Sequence, residues 1–310
     1  MDLYRLATQG AVVFDQGAAG RVWALGRDRL DLLHRLSTQD LKALPVGAVR
    51  STVLTTPIAR IVDRLQVLNL GERLLLLTGV GRSTAVRKWL AGYIFFRDEV
   101  KLQDAGAEIG QLALIGPRAG EALAAAWPGS LPGDDAVVER DGLVVARLTL
   151  LGGPGYLVFP PAAEAPAWIE RLDASGVALG DAALHEQLRV RAGEPGAGHE
   201  LTDAYIPLEL DLWPAVSFTK GCYIGQEILA RMESRGKLAR RLRGLRAAAP
   251  LTVGAEVRAE GALVGAVTST AELPDLGSIG LAVLRTGIEP GAVVDSGGVA
   301  ATVVELPFVT

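Results

Sequence analysis

The chain has 310 residues, enough for two or three packed modules with cores of their own. It is 49% hydrophobic and 21% charged, and no apolar run nears the roughly 18 residues that span a bilayer, so we expect a cytoplasmic protein without a membrane segment. The net charge of −4 indicates no general attraction to nucleic acid, and the single cysteine, Cys222, excludes an intramolecular disulfide and an all-cysteine metal site within one copy.

The first hundred residues alternate helical and strand patterns. Apolar spacing predicts a helix over 29–41 and strands over 49–55 and 58–70 around the Thr56-Pro57 turn. A short strand over 74–78 and a helix over 83–92, with Ser83 as its N-cap, are expected next.

A second stretch begins near residue 111. The pattern predicts a strand over 112–115, a helix over 118–127 after Gly116-Pro117, and paired strands over 143–151 and 156–159. Two more helices are expected, one ending near residue 176 and one over 182–192.

The last 70 residues hold short Val-rich runs with hairpin turns expected at Gly261 and at Gly297-Gly298. We therefore expect an α+β protein in which residues 241–310 form a small antiparallel β-barrel or sandwich. Residues 1–240 would form the main body, as two subdomains with a boundary near 106.

The most informative segment is Lys220-Gly221-Cys222-Tyr223-Ile224-Gly225-Gln226-Glu227. Gln226 is expected to open a helix that stops at Gly236, with Ile224, Ile228 and Met232 as its packing face. Cys222 would then lie where a loop enters a helix, beside the Lys220 ammonium. A helix start and an ammonium both favour the thiolate, which is a nucleophile and a soft metal ligand. The alternative is a buried Cys222 that packs as a small apolar residue.

Asp63 is the second candidate. Alternation along its strand places it on the apolar face with Ile61, Leu65 and Val67, and a buried carboxylate needs a partner or a ligand. A partner such as Arg60 or Arg97 is the structural alternative.

The 220–227 motif resembles the signature of the YgfZ family, relatives of the glycine-cleavage T-protein. Segments 26–29, 36–40, 114–117 and 188–193 resemble the same superfamily, so the resemblance covers nearly the whole chain. It implies an aminomethyltransferase-like, folate-binding body around a central opening, with a C-terminal barrel. The role it implies is support of the assembly or repair of iron–sulfur proteins, including a tRNA-thiolating enzyme.

The resemblance also implies the site. Cys222, with Lys220, would carry the chemistry. Tetrahydrofolate, with or without a polyglutamate tail, would be bound by Asp63, Arg189, Gly221, Tyr223, Gln226 and Glu227. The alternative for Arg189 is an ion pair with Glu186. We expect no resident metal. The expected partners of a monomeric protein are folate and iron–sulfur clients, with tRNA reached only indirectly.

Two departures from the T-protein weaken the alternative reading as a folate-dependent aminomethyltransferase. Leu150 and Leu157 stand where the T-protein has a Tyr and a Glu that contact folate, and leucine cannot accept the N–H donors of a pterin.

A third reading is an RNA-interaction module, because residues 231–246 hold seven basic side chains and one acidic one. That stretch could equally be a solvated connection, or attract the polyglutamate tail of folate.

Overall fold

The computed structural model describes residues 2–308. Within that range the α-helices are α1 (Leu3–Gln9), α2 (Arg29–Leu36), α3 (Ser83–Ala91), α4 (Ala119–Ala126), α5 (Ala165–Asp173), α6 (Ala182–Arg191) and α7 (Gln226–Arg235). The strands are β1 (Val12–Asp15), β2 (Ala19–Leu25), β3 (Val49–Thr55), β4 (Ile61–Asn69), β5 (Arg73–Val80), β6 (Lys101–Asp104), β7 (Leu112–Ile115), β8 (Ala136–Arg140), β9 (Leu143–Leu150), β10 (Gly153–Phe159), β11 (Ala178–Leu179), β12 (Arg240–Ala247), β13 (Glu256–Ala259), β14 (Ala262–Leu273), β15 (Gly277–Arg285), β16 (Val293–Ser296) and β17 (Val299–Val304). None of the helices in this range is long and apolar enough to cross a bilayer.

Contacts divide the chain into two compact units. The first comprises the chain up to Thr55, Val62–Asp181 and Pro214–Ile224, and the second comprises Thr56–Ile61, Ala182–Trp213 and the chain from Gly225 onward. Residues on both sides of position 106 belong to the first unit, and residues 182–213 join the barrel in the second. The boundaries near 106 and 240 stay predictions about domain organisation.

The first unit contains two sheets. One has the strand order β11-β1-β7-β10-β9-β8, and its core includes apolar residues of α4 and α5. The other has the order β3-β4-β5-β2-β6, and its core includes Leu32 and Leu36 of α2 and Val86 and Leu90 of α3. The predicted pairing of β9 with β10 is confirmed, and the chain turns between them at Leu151 and Gly152, which have φ of 48° and 81°.

The second unit carries a closed barrel of antiparallel strands in the order β12-β15-β14-β13-β16-β17, closed by pairing of β12 with β17. Both predicted hairpin turns are confirmed, because Gly261 joins β13 to β14 and Gly297-Gly298 joins β16 to β17, all with positive φ. The predicted α+β class with a C-terminal antiparallel barrel is therefore confirmed.

Three local predictions are wrong. Helix α2 ends at Leu36 instead of residue 41, because Ser37 Oγ donates to the Leu33 carbonyl and Ser37 then bridges to Leu54. Ser83 does not cap α3, since its hydroxyl donates to Asp104 at 3.0 Å and Arg82 occupies the cap position. The strand predicted from residue 58 starts at Ile61, after a turn in which Ala59 has φ of 60°.

Candidate functional site

The loop that carries the cysteine, Pro214–Ile224, is fastened at both ends to the first unit. At its start, Thr38 Oγ1 donates to the Ala215 carbonyl at 2.6 Å, and the Ser217 N–H donates to the Thr38 carbonyl at 2.9 Å. At its end, Thr55 Oγ1 donates to the Ile224 carbonyl at 2.6 Å, and Ile224 packs against the core beneath β3 and β4. This loop, called the cysteine loop below, is thereby held against the chain that follows α2.

Lys220 is the central fastening of the cysteine loop. It is 7% exposed, and its Nζ donates to the carbonyls of His34, Ser37 and Gln39 at 2.5, 2.7 and 2.9 Å. An ammonium has three donors, so all of them are used at the C-terminal end of α2, where free carbonyls favour a cation. Burial lowers the pKa of Lys220 to about 8. The geometry makes Lys220 a positioning residue, with no donor left for Cys222.

Cys222 is free and exposed, so the alternative of a buried apolar cysteine is wrong. The expectation that it sits at the helix start is also wrong. Helix α7 begins at Gln226, and Gly225, with φ of 86°, occupies its cap position. Tyr223, Ile224 and Gly225 therefore separate the thiol from the first helical residue. Cys222 is thus exposed on a loop in which Lys220, two residues before it, and Tyr223, directly after it, are buried.

Tyr223, the next residue, is 7% exposed. Its ring lies 4.8 Å from the Lys220 ammonium, a cation–π contact. Its hydroxyl is buried and has no hydrogen-bond partner among residues 2–308, and burial raises its pKa to about 12. A buried hydroxyl without a partner is costly, and such groups mark places where a water or a ligand belongs.

The other motif residues have simpler surroundings. Gly221 is exposed, and a Cβ placed on it would meet nothing within 4 Å, so space around it is open. Gln226 and Glu227 form the first turn of α7, where Glu227 pairs with Arg231 at 2.6 Å. The predicted helix over Gln226–Arg235 is confirmed, but its fully buried residue is Leu229, whereas Ile228 and Met232 are only half-buried.

Asp63 is 3% exposed on the apolar face of β4, as predicted. Its partner is Arg82, with Nε 3.8 Å from Oδ2, and the expected partners Arg60 and Arg97 are wrong. One carboxylate oxygen accepts the Arg64 N–H at 2.9 Å and the other a long bond from the Gly79 N–H at 3.4 Å.

Burial raises the pKa of Asp63 to about 6, while Arg82 and the two backbone N–H groups act in the opposite direction. A carboxylate can accept about four hydrogen bonds, so Asp63 keeps acceptor capacity that the protein does not use. Leu65, two residues along the same face, belongs to the core against which Ile224 of the cysteine loop packs. Asp63 and the cysteine loop thus belong to one part of the first unit.

Arg189 lies in the second unit and is fully engaged there. Its guanidinium donates twice to Glu186, once each to the Glu194 carbonyl and Glu200, and once to Ser269 Oγ, at 2.5–3.1 Å. Arginine has five donors, so none remains for a ligand. The structural alternative, pairing with Glu186, describes the observed geometry, and the folate contact stays a prediction without support from the contacts.

The basic stretch over 231–246 is partly neutralised within the second unit. Arg231 pairs with Glu227, and Arg243 is 8% exposed with Glu289 and Glu305 near it. Arg240 lies over the ring of Tyr205 at 5.9 Å. The exposed charge is therefore smaller than the sequence count indicates.

Residues that hold the site were missed by sequence reasoning. The resemblance of segment 36–40 assigns no role to Ser37, Thr38 and Gln39, yet the carbonyls of Ser37 and Gln39 accept from Lys220 and the Thr38 hydroxyl donates to Ala215. Thr55 and Arg82 were missed because their partners lie far along the chain. The sequence did hold one indication of this contact: segments 36–40 and 220–227 both combine several polar residues with a resemblance to the same superfamily, as expected of two segments that bind each other.

Comparisons with known proteins agree with this architecture. Residues 4–220 match the GCVT N-terminal domain family. A chloroplastic protein of Arabidopsis thaliana, provisionally named a transferase, is 30% identical over 84% of this chain, which spans only 62% of that relative's length. An aminomethyltransferase of Symbiobacterium thermophilum is 30% identical over 98% of this chain and 88% of its own.

Among solved structures, the glycine cleavage system aminomethyltransferase T of Bartonella henselae superposes with a TM-score of 0.90 and 25% identity, covering 99% of this chain and 88% of that one. The aminomethyltransferase-like fold that the sequence resemblance implied is confirmed. Because the family match covers well over half of the 310 residues, the chain belongs to the GCVT N-terminal domain family.

Proposed function

We propose that this protein belongs to the YgfZ branch of its family, binds a reduced folate, and uses Cys222 to support the assembly or repair of iron–sulfur proteins. The observation that carries the proposal is an exposed thiol on a loop that Lys220 fastens to three carbonyl oxygens. An ordinary surface cysteine needs no such support. A soft sulfur held at a fixed exposed position suits transient contact with a metal cluster or a thiol of a client.

The residues of the first unit fit a folate in part. Asp63 has unused acceptor capacity in a buried setting and would hold ring N–H donors of the pterin. The Tyr223 hydroxyl is a buried donor without a partner among residues 2–308 and would serve a ligand acceptor. Arg189 does not fit, because its five donors are used. A bound tetrahydrofolate supplies a one-carbon carrier.

The partners of this proposal are iron–sulfur client proteins, and tRNA would be affected only through a client enzyme. The protein would act as a monomer in the cytoplasm. Arg231 and Arg243 have acidic neighbours, so the stretch over 231–246 gives limited support to direct RNA binding.

Complementation tests the role of the thiol. In cells lacking this protein, Cys222→Ser is expected to fold normally and to fail in restoring the activity of iron–sulfur enzymes. Ser is nearly isosteric and the site is exposed, so the free energy of unfolding should change by less than about 1 kcal/mol. Ser234→Ala, another exposed substitution nearby in sequence, is the control and should complement fully. Full rescue by Cys222→Ser would remove the thiol from the mechanism.

Calorimetry with tetrahydrofolate tests the ligand. We expect saturable heat with the wild-type protein and an affinity lower by about ten- to a hundredfold in Asp63→Asn, the effect of one charge-assisted contact. Absence of heat for every reduced folate would end the folate part of the proposal while leaving the thiol test open.

A second candidate function is aminomethyl transfer to tetrahydrofolate, favoured by relatives that carry that name. Against it, Leu157 is buried in β10 and Leu150 ends β9, where the T-protein has polar folate contacts. A pterin held without those contacts is less well oriented, and orientation contributes much of the rate in such transfers. Formation of methylenetetrahydrofolate from an aminomethylated lipoyl carrier at rates typical of a T-protein would favour this second function.

A further inference from the structure

A separate cavity lies in the second unit, at the end of the barrel where β12 begins and β17 stops. It has a volume of about 280 Å³ and is lined by the end of α6, the 3₁₀ turn Pro207–Leu210, the start of β12 and the segment after β17. The segment after β17 is fastened to α6, because the Phe308 N–H donates to the Arg191 carbonyl at 3.1 Å. Nothing in the folate proposal uses this cavity.

Arg243 supplies its buried positive charge. It lies two residues before Leu245, which belongs to the barrel core, and it is 8% exposed. Its Nη1 donates to Glu305 at 3.3 Å and its Nη2 to Glu289 at 3.4 Å, and both glutamate side chains are about two-thirds exposed. Its Nε is buried and has no partner within the described part of the chain. A buried guanidinium donor without a partner is costly, and an anionic group of a ligand would satisfy it.

Asp211, which is exposed, and Glu209, which is buried, supply negative charge to the lining of the cavity. Asp211 follows the 3₁₀ turn in the left-handed region, with φ of 59° and ψ of 26°, a conformation that few residues other than glycine adopt. Its carboxylate makes no hydrogen bond or ion pair to residues 2–308 that would occupy it, although Arg241 and Arg243 act on it through space. Glu209 is 6% exposed, and its Oε2 accepts the Ile206 N–H at 3.1 Å and lies 3.9 Å from Nη1 of Arg60, so only its other oxygen is open to a ligand.

We propose that this cavity binds a small zwitterion of amino-acid size, with its carboxylate at Arg243 and its ammonium at Asp211 and Glu209. Arg241 and Glu305 also line the cavity, so charges of both signs meet there. A purely anionic ligand would face the carboxylates with like charge, and a purely cationic one would face the two guanidinium groups with like charge. Cavities for drug-sized ligands run from about 300 to 1,000 Å³, and this cavity lies just below that range, which suits a small ligand. Barrel mouths and element junctions are common places for such sites.

Calorimetry on the full chain tests this site with glycine, alanine and serine as probes, and with acetate and methylammonium as half-ligands. We expect saturable binding of at least one amino acid and much weaker binding of either half-ligand. Asp211→Asn keeps a residue that tolerates the left-handed region and removes the charge, so affinity should fall about ten- to a hundredfold. Arg243→Gln should give a similar loss.

Arg246→Gln is the matched control, since Arg246 lies on the same strand, is exposed and does not line the cavity. It should bind the amino acid like the wild type. Three results would overturn the zwitterion site: no heat with any amino acid, acetate binding as tightly as an amino acid, or unchanged affinity in Asp211→Asn. Asp211→Asn tests the site even if Arg243→Gln fails to fold. Folate binding by Asp211→Asn should be unchanged, so loss of the zwitterion site would be distinguishable from loss of the folate site.

Discussion

Replacing Asp63 by Asn should make the protein more stable near pH 7. The carboxylate is 3% exposed, its ion pair with Arg82 is long at 3.8 Å, and burial raises its pKa from 3.8 to about 6. A rise of that size corresponds to about 3 kcal/mol of unfavourable free energy for the charged form. Because Asn brings an amide that also needs partners, we expect a net gain of about 1–3 kcal/mol in the free energy of unfolding.

The gain in stability of Asp63→Asn over the wild type should depend on pH. A folded pKa above the unfolded value means that neutral Asp63 stabilises the fold at pH below 3.8, and that this contribution is lost as the pH rises through 6. The advantage of Asp63→Asn over wild type should therefore be largest near pH 7, about halved near pH 5, and largely gone near pH 4.

Chemical denaturation across this pH range is the assay, with Asp98→Asn as the control. Asp98 has its pKa lowered by the Phe95 N–H and by Arg35, so its Asn variant should lose stability at neutral pH and the loss should shrink on acidification. If Asp63→Asn were less stable than wild type near pH 7, Asp63 would be a structural partner of Arg82 and not a carboxylate held free for a ligand. A gain in stability combined with a loss of folate affinity would instead show a charge retained for binding.

Three further substitutions test the fastening of the site. Lys220→Met should lower the free energy of unfolding by about 2–4 kcal/mol and increase proteolysis within the cysteine loop, because three carbonyls lose their donor. A variant as stable as the wild type would show that Lys220 does not fasten this loop. Arg189→Gln should cost about 3–5 kcal/mol by leaving Glu200, which is fully buried, without its charge partner, and a mild effect in thermal unfolding would reopen a ligand role for Arg189. Tyr223→Phe should be neutral or stabilising by up to about 1 kcal/mol, since the hydroxyl has no partner within residues 2–308, and a large loss measured by denaturation would reveal a hidden one.

For Asp63 and Arg189, two of the six residues predicted to bind folate, the sequence predicted the position but not the full set of hydrogen-bond partners. Alternation along β4 placed Asp63 on the buried face, and burial there is a local consequence of a period of two. The partner of Asp63 could not be predicted in the same way, because Arg82 lies just before α3 and is brought to Asp63 only after β5 has passed beside β4. Arg189 was placed correctly on α6, but Ser269, which takes one of its donors, lies 80 residues away on the barrel.

By itself, the sequence determined many of the helices and strands and which reactive and charged side chains are present. Glycines with positive φ end α7 at Gly236 and form the turns of the barrel hairpins. The single cysteine, between Gly221 and Gly225, indicated which loop carries the candidate site. Only the tertiary structure decided that the Lys220 ammonium donates to carbonyls at the end of α2 and that Cys222 is exposed away from a helix start. It also decided that Arg243 is buried beside a cavity. The reason is that periodicity reports which side of an element is buried, whereas the use of each donor and acceptor depends on atoms brought together from distant segments.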